Sequence, residues 1–304
     1  MKKGEKGPQV VALQTALENL NYLQPASKKA DGSFDGICGP ELINTTFQYA
    51  MERNFNLAND PQWTTEIPDV YVAQAQTLQP VYGRGIDIAH YQPVVDWKRL
   101  QEGGVNYAFI KATDFSGKGN GFVDSMFYTH WDNATKAGCK KGAYMFWHPA
   151  FDPAAQADYF IKQTKRVYRP GDLRPVIDVE RNDKLSKAEV NKRLQVVIDR
   201  LKASFGVPPI IYTSKRVCDE QRIEVGGECP VWLAFYVPAY DTDPGPKKDM
   251  QTTFRVGPPL PSQWKRFDIW QSGYGPRLPG CETTECDRDL MNDPKVTLPL
   301  ITLS

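Results

Sequence analysis

With 304 residues, 41% of them hydrophobic and 24% charged, the chain has room for one barrel-sized domain and a smaller one. A formal net charge of +1 offers no long-range field to nucleic acid or an anionic membrane, and no apolar run is long enough to span a bilayer. Lys2, Lys3 and Lys6 make a basic start, but Gly4, Glu5, Gly7 and Pro8 stand where a secretory leader would place its apolar core, so no signal peptide is readable.

Residues 4–57 read as a small helical unit. Val10, Leu13, Leu17 and Leu20 fall at helical spacing, Val11 and Ala16 widen the stripe, and Asn21 ends it. Asp31 to Pro40 is turn-rich, and Pro40 is placed to open a second helix whose apolar face runs through Phe47, Met51 and Phe55. Gly7, Val10, Leu13-Gln14, Leu17, Leu20 to Leu23 and Asp35 to Glu41 together resemble the three-helix peptidoglycan-binding domain of cell-wall hydrolases. Two positions depart from it: Cys38 stands where Phe is usual, and Phe47-Gln48 comes about two residues early. The resemblance implies a wall-binding domain over 1–57. Residues 58–82, with Pro61, Pro68 and Pro80, read as a linker carrying one short helix around Val70–Leu78.

From Gly83 strands alternate with helices. Strands are expected at Gly85–Ala89, Tyr107–Thr113, Gly142–Trp147, Leu173–Glu180 and Pro209–Thr213. Helices are expected at Asp96–Glu102, Asp124–Ala137, Pro153–Gln163 and Lys187–Phe205. Val231–Tyr236 and Phe267–Gln271 read as further strands among Pro- and Gly-rich loops, so the last third is expected to be helix-poor. Repeated strand–helix units in about 220 residues predict an α/β fold with a parallel sheet closed into a barrel.

Leu173 to Glu180 carries the chemistry. Side chains alternate along a strand, so Asp178 and Glu180 face the same way with Cβ atoms about 6–7 Å apart. Neighbouring buried acids raise one another's pKa, and a proton donor beside an anion is what glycosidic cleavage needs. Barrel sites sit at the carboxyl ends of strands, which brings in Asp87 and Asp287 and the aromatics Tyr144, Tyr212, Trp232 and Tyr236. Rings that stack on sugar faces among carboxylates suit a carbohydrate. Asp289 is the alternative to Asp287 as the inward acid, and Lys111 is a candidate ion-pair partner for the acids.

Gly85-Ile86-Asp87-Ile88, Phe109 to Thr113, Gly142-Ala143-Tyr144, Ile177 to Glu180, Ile211-Tyr212-Thr213, Trp232 to Tyr236, Trp270-Gln271 and Asp287-Arg288 resemble, in order and spacing, glycoside hydrolase family 25, the Chalaropsis-type lysozymes. The resemblance covers about Gly85 to Leu290 and implies an incomplete TIM-like (β/α) barrel with helix-poor last strands. The catalytic domain then spans 83–304. It implies hydrolysis of the β-1,4 bond between N-acetylmuramic acid and N-acetylglucosamine, with Glu180 as general acid. Asp178 is its partner at the acetamido group, and Asp87 and Asp287 are supporting acids. Tyr144, Tyr212, Trp232, Tyr236 and Lys111 are the candidate substrate-binding residues. Both Asp178 and the sugar's own acetamide stay open as nucleophile, and two acids on one strand favour the acetamide. Met145 stands where His often follows the Tyr, Asp114-Phe115 replaces Glu-Gly, and Ser272-Gly273-Tyr274 follows Trp270-Gln271 where Tyr would come directly.

The rivals each lack a feature. A zinc amidase needs clustered ligands, but His90, His130 and His148 lie on separate segments without His-Glu-x-x-His spacing. A chitinase-like enzyme would carry an Asp where Val176 stands. Cys-His catalysis finds no cysteine at a helix start beside a base. No metal or cofactor is therefore expected; the expected partner is the peptidoglycan glycan strand, and the chain is expected to be monomeric. A non-catalytic wall-binding protein is the reading from another class. Without a readable leader, the expectation is a phage endolysin made in the host cytoplasm and acting in the periplasm or wall after release, with an exported bacterial effector as the alternative. Cys218/Cys229 and Cys281/Cys286 could each close a short disulfide loop, whereas Cys38 and Cys139 read as buried fillers.

Overall fold

The computed structural model describes residues 1–19, 24–53, 66–69, 72, 83–102, 104–117, 119–221, 223–224, 226–236, 260–262, 264–275, 280–281, 286–292 and 294–303. At the N-terminal end, helix α1 (Pro8–Asn19) and helix α2 (Pro40–Arg53) pack around Val10, Leu13, Leu17, Cys38, Leu42, Ile43 and Tyr49, all buried. Pro40 opens α2, where its missing N–H costs no helical bond. Asp35 pins the loop between the helices: its Oδ1 accepts from Gln14 Nε2 and from the Ile37 amide, both at 2.9 Å. Ile67, inside the stretch expected as linker, is buried in this same core, and the Lys2 backbone bridges to Glu66. Phe47 turns away from it and packs, half-buried, against the core of the larger unit. Leu20 to Leu23, Phe55 and most of the helix expected at Val70–Leu78 lie outside the described residues.

The larger unit is a closed barrel. Its strands are β1 (Arg84–Ile88), β2 (Val105–Phe115), β3 (Gly121–Val123), β4 (Lys140–Phe146), β5 (Val176–Asp178), β6 (Ile210–Ser214), β7 (Val231–Ala234), β8 (Ile269–Gly275) and β9 (Cys286–Met291). Around the ring the order is β1-β2-β4-β5-β6-β7-β8-β9, with β9 returning to β1; β3 is a short antiparallel addition to β2 outside the ring. The pairs from β1 through β8 are parallel, but β9 runs antiparallel to both of its neighbours. Helices α3 (Trp97–Glu102), α4 (Phe127–Ala137), α5 (Pro153–Thr164), α6 (Lys187–Phe205) and α7 (Lys215–Gln221) follow successive strands, and α8 (Pro294–Ile301) ends the chain. Among the described residues no helix lies between β7 and β9. Asp152 caps α5 through the Ala155 amide, and Ser186 caps α6 through the Glu189 amide.

Period-two alternation divides the barrel wall. On β2, Ala108, Ile110 and Ala112 face the helices, whereas Tyr107 and Phe109 fill the interior. On β5 and just beyond it, Ile177 and Val179 face the helices and Val176 points inward. Gly85 lies against the Tyr107 ring, which an added Cβ would meet at 2.2 Å. Two sequence expectations need correction. The strand expected over Leu173–Glu180 is only Val176–Asp178, because Leu173 and Arg174 bond instead to the carbonyls of Lys141 and Ile301 at the barrel's base. The cysteines expected to pair are all free thiols and buried. Among the described residues no helix is long and apolar enough to cross a membrane.

Candidate active site

A cleft of about 350 Å³ opens where the parallel strands end. Its lining includes Asp87, Lys111, Asp114, Tyr144, Asp178, Glu180, Tyr212, Trp232, Tyr236, Gln271 and Asp287, so all nine residues singled out from the sequence meet in one place. Asp178 is the last residue of β5 and only 6% exposed, while Glu180, two residues further on, is exposed at the mouth. The backbone between them stays in register, since the Val179 amide donates to the Tyr212 carbonyl at 2.9 Å. That is why the two acids share a face beyond the end of the strand.

Burial raises the Asp178 carboxyl well above the ordinary range, with the Glu180 charge adding to it and Lys111 opposing. Glu180 is raised as well, by burial against the cleft wall, while its hydrogen bond with Tyr212 and the Lys111 charge hold it down. The principal cause at Glu180 is therefore desolvation rather than the surrounding anions that the sequence suggests. One Asp178 oxygen, Oδ1, is buried with no hydrogen-bond partner among the described residues. Its free lone pairs point to a donor arriving with a ligand.

The opposite wall is organised by Gln271, on β8. Its Nε2 donates to Asp87 Oδ2 at 2.7 Å, and its Oε1 accepts from Tyr212 at 2.7 Å and from Tyr236 at 2.9 Å. Burial pushes Asp87 well above the usual carboxylate range, and Asp287, Asp289 and Asp178 add to it against the Gln271 bond. Tyr144 stands among these acids; burial and then Asp87 and Asp178 hold its phenol proton in place. Asp287 lies opposite Asp87 across the β1–β9 pair. It lines the cleft, whereas Asp289 is fully buried below it and accepts the Trp232 Nε1–H at 2.9 Å. Trp232 is itself only 2% exposed, stacked on Phe109, and makes the floor of the cleft. Tyr236, 48% exposed, stands at the rim. Lys111 does not pair directly with the two β5 acids: its Nζ bonds Asp114 Oδ2 at 2.7 Å and lies 4.9 Å over the Phe146 ring.

The sequence marks Gln271, Asp114 and Asp289 only as parts of segments or as alternatives, and His148 only as an isolated histidine. A polar residue following Trp270 on a strand aimed at the mouth is the one local signal that Gln271 offers. Among the described residues no group of three or more His, Cys, Asp or Glu is arranged to hold a metal ion.

Similarity to known proteins agrees with this geometry. The chain is 32% identical over 157 residues to the Escherichia coli K12 protein YegX, described as uncharacterized, an alignment covering 50% of this chain and 56% of that protein. It thus spans little more than half the length of that relative. Lysozyme M1 of Streptomyces globisporus is 27% identical over 220 residues, covering 69% of this chain and 67% of that one. Among solved structures, the bacterial lysozyme from Streptomyces coelicolor superposes with a TM-score of 0.59 at 25% identity, covering 72% of this chain and 97% of the other. The sequence model for glycosyl hydrolases family 25 matches residues 86–280, from the strand that bears Asp87 to the approach to β9. With well over half its length under that match, and with the family's closed barrel, the chain belongs to glycosyl hydrolases family 25.

Proposed function

We propose that this chain is a glycoside hydrolase of the lysozyme type, an N-acetylmuramidase that cleaves the β-1,4 bond between N-acetylmuramic acid and N-acetylglucosamine in peptidoglycan glycan strands. The observation that carries the reading is the vertical pair: Glu180 exposed at the mouth, with Asp178 buried beneath it and one carboxyl oxygen unpartnered. Glu180, its pKa raised by burial, donates its proton to the leaving glycosidic oxygen. Asp178 Oδ1 accepts the N–H of the 2-acetamido group and turns the amide oxygen toward the anomeric carbon. That oxygen forms the new bond as the glycosidic bond breaks. The ionised Glu180 then takes a proton from the water that opens the cyclic intermediate, which restores the acid and retains the anomeric configuration. Both carboxyls lie on one side of the cleft, two residues apart, an arrangement that suits substrate assistance better than attack from opposite faces.

Mass spectrometry of purified sacculi digested with the protein tests the bond assignment. Muramic acid at the new reducing ends is the expected result; glucosamine there, or no new reducing ends, would overturn it. The second outcome would favour the wall-binding protein.

The reading extends to domain roles: residues 1–57 anchor the chain to the wall, 58–82 connect, and 83–304 cut, as a monomer. Leu13 is fully buried in the N-terminal core, so Leu13→Asp breaks that unit. The variant is expected to stop co-sedimenting with sacculi while still cutting soluble glycan fragments. It extends also to host lysis, as a phage endolysin made in the host cytoplasm. Expression in a bacterium is then expected to clear the culture only when a membrane-lesion protein is co-expressed; clearing by the chain alone would count against that role.

A further inference from the structure

Immediately after Glu180 the backbone enters the left-handed region at two consecutive non-glycine residues, Asp183 with φ 47° and Lys184 with φ 65°. Such a turn persists only where its surroundings hold it. Asp183 is the held residue: Oδ1 accepts from Arg181 Nε at 2.8 Å, Oδ2 accepts from the Ala150 amide at 3.2 Å, and His148 Nδ1 lies 3.9 Å from Oδ2. The other ring nitrogen of His148, Nε2, is 2.8 Å from Asp114 Oδ1. Because that carboxylate can only accept, Nε2 carries the hydrogen. Asp114 in turn holds Lys111 by its second oxygen. His148 cannot drift, since fully buried Gln156 accepts its amide N–H at 3.0 Å and donates to its carbonyl at 2.9 Å, and Phe146 and Phe151 flank the ring.

We propose that His148 is a positioning residue for the acid. It ties the Asp183 turn that follows Glu180 to Asp114, and through Asp114 it fixes how much of the Lys111 charge faces the acid pair. The proposal rests on the reading of Glu180 as general acid. Asp114 is the pivot. Burial alone would push its carboxyl up, but the bonds from His148 and Lys111 and the charge of Lys111 bring it below the ordinary range. Its anion is thus shared between two partners. Lys111 is faced by Asp114 on its own strand, by Asp178 and Glu180 from the β5 segment, and by the Phe146 ring from β4. Glu180 is faced in addition by Tyr212 from β6. Remove His148, and Asp114 closes wholly on Lys111, which muffles the cation that holds Glu180 down.

The sign of the effect follows. A general acid works only while protonated, so activity falls as pH rises through its pKa. With Lys111 muffled, Glu180 keeps its proton to higher pH, and the alkaline limb of the rate profile in His148→Ala moves up by about half a unit, a fraction of what an adjacent opposite charge produces. The overall rate falls roughly 10- to 100-fold as the turn loosens. Asp114→Asn leaves Lys111 unneutralised and moves the limb down. His148→Gln, whose amide N–H reaches Asp114, returns it toward the wild-type position.

The experiment is initial-rate release of reducing ends from purified sacculi between pH 4 and 9 for these three variants, with Glu180→Gln alongside. Opposite limb movements in His148→Ala and Asp114→Asn, with return in His148→Gln, are the expected result. Limbs that coincide with wild type, accompanied only by a lower melting temperature, overturn the proposal. Should His148→Ala fail to fold, the Asp114→Asn limb decides alone: downward movement supports it and no movement overturns it. A Glu180→Gln chain that cuts at the wild-type rate would instead remove the acid assignment beneath it.

Discussion

At the scale of single residues, the division of labour between Asp178 and Glu180 comes from depth rather than from residue type. Two residues of extended chain carry the second carboxyl from the buried end of β5 to the solvent-facing mouth. Replacing Glu180 with Gln keeps the shape and removes the transferable proton. Reducing-end release should drop about 10²- to 10⁴-fold, the usual contribution of a general acid, while the melting temperature stays within a degree or two because the side chain is exposed. The acids and their order were legible in the sequence because alternation on a strand is a geometric rule. Gln271 was not, because its importance lies in three hydrogen bonds to partners on β1, on β6 and just beyond β7, far from it in the chain. The wiring of Lys111 was misjudged for a related reason: spacing shows that Asp114 is three residues away, but only the fold shows that Asp114 takes the ammonium while the β5 acids feel it at a distance.

At the scale of elements, the long strands and helices of the barrel announce themselves by periodicity, and the short ones do not. β3 is three residues long, α7 is a charged segment with little apolar stripe, and α8 carries Pro299 inside it. Each exists because it packs on the barrel, and local sequence has little to say about that. Close packing also sets the tolerance of the strands. Gly85 on β1 faces the Tyr107 ring, which is 1% exposed, so Gly85→Ala forces ring or strand to shift and should cost about 1–3 kcal/mol in urea denaturation. An unchanged midpoint would mean that the β1–β2 contact is looser than described. The N-terminal helices were equally legible in their Val10, Leu13 and Leu17 stripe, but nothing in that pattern foretells that Phe47 leaves its own core for the barrel's.

For the whole molecule, the electrostatic cost of the cleft should appear in stability. Asp87, Asp178 and Asp289 are all buried and raised, chiefly by desolvation, and Glu180 is raised less. A carboxyl whose folded pKa lies above its unfolded value contributes stability that is fully present below about pH 4 and lost as pH climbs through the folded pKa. Asp114, lowered in the fold, and His130, lowered by burial, work in the other direction and weaken the protein as pH falls. Three strongly raised acids outweigh them, so the melting temperature should fall between pH 5 and pH 8. Asp289→Asn keeps an acceptor for Trp232 and removes one of the ionisations. It should melt close to wild type at pH 5 and a few degrees higher at pH 8, at roughly 2–4 °C per kcal/mol. Scanning calorimetry at the two pH values checks this, and equal differences at both would refute it.

The reversed direction of β9 has a consequence for how the family can vary. Every other ring strand delivers its acid at the far end, so the loop that follows it reshapes the mouth. β9 delivers Asp287 at its start and finishes beside Arg84 at the barrel's foot. For this strand the upstream connection is the one that borders the cleft, and whatever is appended after Asn292 lands on the side remote from the chemistry. Tail extensions of any size can therefore be gained or shed without disturbing catalysis, whereas even a small change ahead of Cys286 meets the substrate.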